Sequence, residues 1–385
     1  MDEPDIPVAI PFPVAFNVDF DDDEPDEIIL PTRSPVLNKN QMQSLKGQGF
    51  TEGLGQALSD SLSDFALRIW VIDNSGSMAN NDGQKLVADS LMGVVRSIPC
   101  TRWSEIQQTV EYHAQMAALM KAPSRFRLLN DPGRNVGPQI FSIGENGDAT
   151  IDQDLVIATD TMSKARPMGA TPLITHINAI RDEVERMAPA LRREGRRVAI
   201  ILATDGLPTN PPGVRPGNER QNFTAAMKSL EGLPVWIVIR LCTDSEQIVD
   251  YYNDLDKQLE LSIEVLDNYT DEAKEMYHYN PWLNYTLQLH RMREMGFQKR
   301  LFDILDERPC TLAELHEFCV MLFGEEKLRG VPSPELDFKE FCKGIKKIVK
   351  TTPQQWHPAR MTMKGLVSVD KMQRVYGEIR GCTIM

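Results

Sequence analysis

Runs that are hydrophobic on both faces, alternating with helix-length segments, restrict this chain to an α/β layer architecture. Residues 66–72 (ALRIWVI), 198–204 (VAIILAT) and 235–241 (VWIVIRL) are apolar, β-branched runs of buried-strand type. Residues 262–266 form a further strand candidate, with 126–129 and 139–143 as weaker ones. Helices are expected over 86–98, where Leu86, Ser90, Val94 and Ser97 or Ile98 recur near helical spacing, and over 104–121, where Ser104 and Gln107 fit a capping box. Two more are expected over 172–194, with Pro172 at the first position, and near 223–230. This alternation through 61–268 predicts a doubly wound, mainly parallel, Rossmann-like sheet covered by helices on both faces.

The flanks read differently. Residues 1–60 are expected to be a disordered acidic tail and linker, because seven prolines fall in the first 35 positions and residues 19–27 are mostly carboxylates. Phe12, Phe16, Val18 and Phe20 lie beside those acids, as in a docking peptide, but a plain solvated tail is the preferred reading. The glycine-rich stretch 47–55 (GQGFTEGLG) follows no strand and lacks a P-loop Lys-Ser/Thr, so it reads as a flexible linker. Residues 269–385 form a helical C-terminal region, with helices over 283–295, 297–305, 311–323 and 338–350. Thr311 and Glu314 make a capping box there, and Leu312, Leu315, Cys319 and Leu322 form a core-facing stripe.

Charge narrows the partners. The net charge of -13 argues against nucleic acid, whose phosphates require a basic surface. Its distribution is uneven: residues 1–40 carry -8, and residues 336–385 carry +6. Six cysteines without CxxC spacing read as reduced thiols of a cytoplasmic protein, and no apolar stretch reaches the length of a membrane span.

Three short segments carry the chemistry. Asp73-Asn74-Ser75-Gly76-Ser77-Met78 follows the first strand, Gly169-Ala170-Thr171-Pro172-Leu173 precedes a long helix, and Thr204-Asp205-Gly206 follows the second major strand. Ligands in an open parallel sheet gather outside the carboxyl ends of the strands, so these loops are expected to converge. Three hydroxyls and two carboxylates, without His or Cys, suit Mg²⁺, with Mn²⁺ or Ca²⁺ as alternatives. Ser75 and Ser77 are two residues apart, and a loop turned tightly at Gly76 can aim both at one ion. The charge comes from Asp73 and Asp205, directly or through water, and an open coordination position would accept a carboxylate from another molecule.

DNSGSM, GATPL and ATDG together resemble the metal-ion-dependent adhesion site of von Willebrand factor type A domains, over residues 64–268. The family pattern Asp-x-Ser-x-Ser, Thr, Asp falls on Asp73, Ser75, Ser77, Thr171 and Asp205. The resemblance implies direct coordination by the hydroxyls, aspartates acting through water, and an open metal position filled by an acidic residue of a protein partner. Residues 101–161, with Trp103, Glu105, Tyr112 and His113, are not explained by the pattern and read as an inserted helical cap.

An enzyme is not expected. Ser75 or Ser77 as a nucleophile needs a positioned base, and the six histidines are dispersed; His176, one turn after Thr171, could approach the metal edge but reads better as a helix-packing residue. A Mg²⁺-dependent hydrolase is therefore the weaker alternative. The chain ends in Cys382-Thr383-Ile384-Met385, which resembles a CaaX prenylation box. Upstream, Phe338, Phe341, Ile345, Ile348 and Val349 share one helical face, with Lys343, Lys346, Lys347 and Lys350 on another. Two readings stay open: lipidation at Cys382 with peripheral membrane contact, giving an anchored scaffold, or an unmodified tail whose helix docks on the protein's own core.

Overall fold

The computed structural model describes residues 30–31, 36–88, 95–209, 217–243 and 245–377. Phe12, Phe16, Val18, Phe20 and Cys382 lie outside the described residues. The architecture is α/β. A six-stranded sheet runs in the order β5 (Ile140–Ile143), β4 (Ser124–Leu128), β1 (Phe65–Ile72), β6 (Arg197–Thr204), β7 (Val235–Leu241), β8 (Ile263–Leu266). All neighbours are parallel except the β4–β5 edge pair. The expected mainly parallel sheet is therefore present, with its strands within a residue or two of the expected limits.

Every residue of β1 is buried, which is why its sequence shows no polar alternation. On one face Leu67, Ile69 and Val71 join Val198, Ile200 and Leu202 under helices α5 (Leu173–Glu194), α6 (Glu219–Lys228) and α7 (Glu246–Gln258). On the other, Trp70, Ile72, Phe126 and Ile201 pack under α3 (Arg102–Met120) and α4 (Ile151–Lys164). Residues 101–161 are thus part of the main layer and not an inserted cap: β4 pairs directly with β1, and α3 seats Trp103, Ile106 and Val110 on the sheet.

Three further expectations are corrected. Within 86–98 the described residues are not helical: 86–88 belong to β2 (Gly83–Ala88) and 95–98 to β3 (Val95–Cys100), which pair as an antiparallel ribbon with Val87 and Ile98 exposed. Helix α3 begins two residues earlier than expected, and its cap is Thr101 rather than Ser104, the Thr101 side chain accepting from the Ser104 N–H at 3.0 Å. Residues 39–62 are not linker: α1 (Lys39–Gly47) carries a full Asn38/Gln41 capping box and α2 (Glu52–Leu62) is capped by Thr51. Leu45, Leu54 and Leu58 are fully buried there. Gly53 allows the closest approach, since a methyl on it would lie 2.4 Å from the Gly324 nitrogen.

Those two helices complete the core of the C-terminal region, which contains α8 (Tyr269–Tyr279), α9 (Leu287–Glu294), α10 (Arg300–Leu305), α11 (Leu312–Phe323), the short α12 (Glu325–Leu328), α13 (Phe338–Thr351) and α14 (Val369–Gly377). The Thr311/Glu314 capping box is present at α11. A small hairpin, β9 (Gln355–His357) and β10 (Thr362–Lys364), interrupts the expected all-helical pattern. Helix α13 spends its apolar face on the protein itself: Phe338, Phe341 and Ile345 are buried, so that face is not free for a membrane. Among the described residues no helix is long and apolar enough to cross a membrane.

A buried ionic cluster joins this region to the sheet. Glu294 on α9 accepts from His113 Nε2 at 3.0 Å and Arg291 Nη1 at 2.7 Å, and lies 3.4 Å from Arg240 Nε on β7. Arg240 also bonds Glu105 on α3, while Arg293 holds Glu264 at 2.6 Å and also bonds Glu272. Burial raises the Glu294 carboxyl, but Arg291, His290 and the His113 hydrogen bond outweigh it and hold the carboxyl well below the usual range. Burial pushes the His113 imidazole down to about 4, so its contact with Glu294 is a neutral N–H donating to a carboxylate.

Candidate functional site

The site forms where β1 and β6 end side by side. Asp73 continues β1, with its N–H donating to the Ala203 carbonyl of β6 at 2.9 Å. Asp73 Oδ1 accepts the Ser75 N–H at 2.8 Å, and Oδ2 accepts the Thr204 hydroxyl at 2.7 Å. The side chain is locked by the two strands that carry it. Ser75 Oγ lies 3.0 Å from Ser77 Oγ, and Ser77 Oγ donates to Asp205 Oδ1 at 2.8 Å. Four of the five expected residues, Asp73, Ser75, Ser77 and Asp205, are therefore linked in one continuous hydrogen-bonded chain.

The fifth, Thr171, belongs to a loop pinned to the same point. The Gly76 N–H donates to the Gly169 carbonyl at 3.1 Å, and the Met168 N–H donates to the Asn74 carbonyl at 2.6 Å. The Thr171 N–H donates to Thr209 Oγ1 at 2.8 Å, and its carbonyl accepts from the Thr209 N–H at 3.0 Å. Asp73, Ser75, Thr171 and Asp205 are buried, and Ser77 is exposed at the rim. The backbone does turn tightly at Gly76, which opens a 3-10 turn closed by the Met78 N–H donating to the Ser75 carbonyl at 3.1 Å, but the turn does not require glycine. The φ of Gly76 is not positive, and a methyl there would meet the Gly169 oxygen at an ordinary 3.7 Å. The positive φ, +76°, is at Gly169, where a methyl would strike Asn130 Oδ1 at 2.5 Å.

Several residues that organise the site escaped sequence reasoning. Asn74 Oδ1 accepts the Asn130 N–H at 2.8 Å, and Asn130 Nδ2 donates to the Ala170 carbonyl at 2.8 Å, so this asparagine pair clamps the Thr171 loop to β1. Tyr252 donates to the Gly206 carbonyl at 2.9 Å, fixing the loop after Asp205. Arg102, at the start of α3, donates from Nη1 to Asp205 Oδ2 at 2.8 Å and from Nε and Nη2 to Asp82 at 2.6 and 2.5 Å. His176 does not approach the rim; its Nε2 donates to the Leu129 carbonyl at 3.0 Å.

The two carboxylates are not equally placed, since Asp205 has the Arg102 guanidinium against it. Burial, reinforced by the charge of Asp205, pushes the Asp73 carboxyl up to about 6, against the pull of its Ser75 and Thr204 hydrogen bonds. Two buried carboxylates with hydroxyls in hydrogen-bond contact form an oxygen-only donor set, of the hardness that Mg²⁺ takes. Among the described residues no three His, Cys, Asp or Glu side chains cluster as metal ligands, so an ion here would depend on the hydroxyls. A scan of protein-family models and a search of curated proteins returned no match to this chain.

Proposed function

We propose that the protein is a binding module of the von Willebrand factor type A kind, in which Asp73, Ser75, Ser77, Thr171 and Asp205 hold a divalent cation, Mg²⁺ first, that captures an acidic residue of a protein partner. The observation that carries this reading is the unbroken contact from Asp73 through Ser75 and Ser77 to Asp205. Two hydroxyls and a carboxylate in mutual contact at the carboxyl edge of a parallel sheet are donors that one ion would share. The ion would offset the charge that Asp73 and Asp205 impose on each other. With Ser77 exposed, its outer face would be left for a ligand carboxylate.

A binding role is favoured over hydrolysis because, among the described residues, no histidine hydrogen-bonds Ser75 or Ser77, whereas His113 and His176 are committed to Glu294 and Leu129. Prenylation at Cys382 rests on the terminal CTIM alone. The test is affinity capture from a cytosolic extract with tagged full-length protein, in Mg²⁺ and in EDTA. A partner retained only in Mg²⁺, and lost with Ser75→Ala/Ser77→Ala, is expected. Capture indifferent to both would contradict the reading.

A further inference from the structure

One cation already touches the site. Asp205 is 1% exposed, and both its carboxylate oxygens are engaged: Oδ1 by Ser77 and Oδ2 by the Arg102 guanidinium, each at 2.8 Å. An ion arriving at the Asp205 side therefore meets a positive charge already in residence. The other edge of the same guanidinium forks onto Asp82, whose side chain is 55% exposed at the base of the β2–β3 ribbon. Such a planar fork can keep two bonds to one carboxylate while releasing a third.

The backbone beneath Arg102 is held fast. Its N–H donates to the Asn80 carbonyl at 3.0 Å, Thr101 caps the helix it opens, and Gly83 packs so closely that a methyl there would lie 2.7 Å from the Arg102 nitrogen. Any adjustment is left to the long side chain. Asp82 and Asp205 thus share one tethered cation, held by two bonds to Asp82 and by a single bond to Asp205.

We propose that Arg102 is a built-in rival of the divalent ion, holding Asp205 when the metal is absent and withdrawing onto Asp82 when it binds. This rests on the metal-binding reading of the site. It makes the affinity for metal, and through it the capture of a carboxylate partner, a balance between two cations. Asp82 shifts that balance towards the metal, because it offers Arg102 a place to go and cancels its charge. Removing Arg102 and removing Asp82 must then act in opposite directions, which mere loosening of the rim would not produce.

The experiment is an Mn²⁺ titration of the full chain, followed by the electron paramagnetic resonance of the free ion, with folding checked by circular dichroism. Arg102→Gln should tighten Mn²⁺ binding about tenfold, and Asp82→Asn should weaken it several-fold. Unchanged or weaker binding by folded Arg102→Gln overturns the proposal while leaving the metal site standing, provided the wild type binds. Should Arg102→Gln fail to fold, Asp82→Asn decides, and unchanged or tighter binding overturns the proposal. No saturable binding by any folded form, Arg102→Gln included, overturns the metal-binding reading itself.

Discussion

Asp73→Asn should make the metal-free protein more stable while disabling its site. Asp73 is fully buried, and its carboxyl is raised from 3.8 to about 6 in the folded state. A raised carboxyl means that its ionised form opposes folding. The cost is absent below about pH 4, grows through pH 4–6, and is complete above pH 6. By proton linkage its full size is about 3 kcal/mol. Asparagine removes the charge, and its Oδ1 can still accept the Ser75 N–H that Asp73 accepts at 2.8 Å. The Thr204 hydroxyl, now donating to Oδ2 at 2.7 Å, must turn to accept from the new amide, a loss of about 1 kcal/mol. The net expectation at pH 8 in EDTA is about 2 kcal/mol of added stability. Urea denaturation at pH 8 and pH 4.5 measures it, and the advantage should vanish or reverse at the lower pH. A variant less stable than wild type at both values would refute the electrostatic account.

Further outcomes follow from packing and from the buried charges. Glu294→Gln leaves Arg240 and Arg291 without their shared carboxylate and should cost on the order of 3–5 kcal/mol in thermal or urea unfolding. Gly169→Ala forces a +76° φ on alanine and a methyl onto Asn130, so it should lower stability by about 1–3 kcal/mol and weaken Mg²⁺ binding seen by calorimetry. Gly53→Ala drives α2 off Gly324 and should lower the melting temperature although it lies outside the sheet, by several degrees in a thermal scan. His113 is held down to about 4 from 6.5, so the unfolded chain takes up a proton that the folded protein refuses. Its contribution to stability is therefore present above pH 6.5 and lost as pH falls towards 4, and His113→Gln should flatten that part of the pH–stability curve.

The sheet was legible because its strands are buried on both faces, which leaves continuous β-branched runs in 66–72, 198–204 and 235–241. The candidate ligands were legible for a related reason. Loops that leave such strands place their first residues at one edge, and Asp73, Ser75, Ser77 and Asp205 are those residues. What failed was information carried by distant partners. Leu86, Ser90, Val94 and Ile98 mimic helical spacing, but the ribbon is held by α3, with Glu105 accepting the Gln84 N–H at 2.7 Å and Gln108 bonding Leu86 through both its N–H and C=O.

Residues 47–55 follow no strand and carry no P-loop Lys-Ser/Thr, yet they are not a flexible linker, because Thr51 caps α2. Gly53 and Gly55 serve close packing there rather than flexibility, a distinction that depends on α11 and on Met42. Nothing local to Asp82 announces Arg102, 20 residues on. The clamp of Asn74 on Asn130 is hidden in the same way, across 56 residues.

The central claim is that Asp73, Ser75, Ser77, Thr171 and Asp205 form one divalent-cation site, and isothermal titration of Mg²⁺ into the full chain addresses it most directly. One saturable site per chain in the wild type, abolished in Ser75→Ala/Ser77→Ala and in Asp205→Asn with folding intact, is the predicted result. Equal binding by wild type and these variants would contradict it.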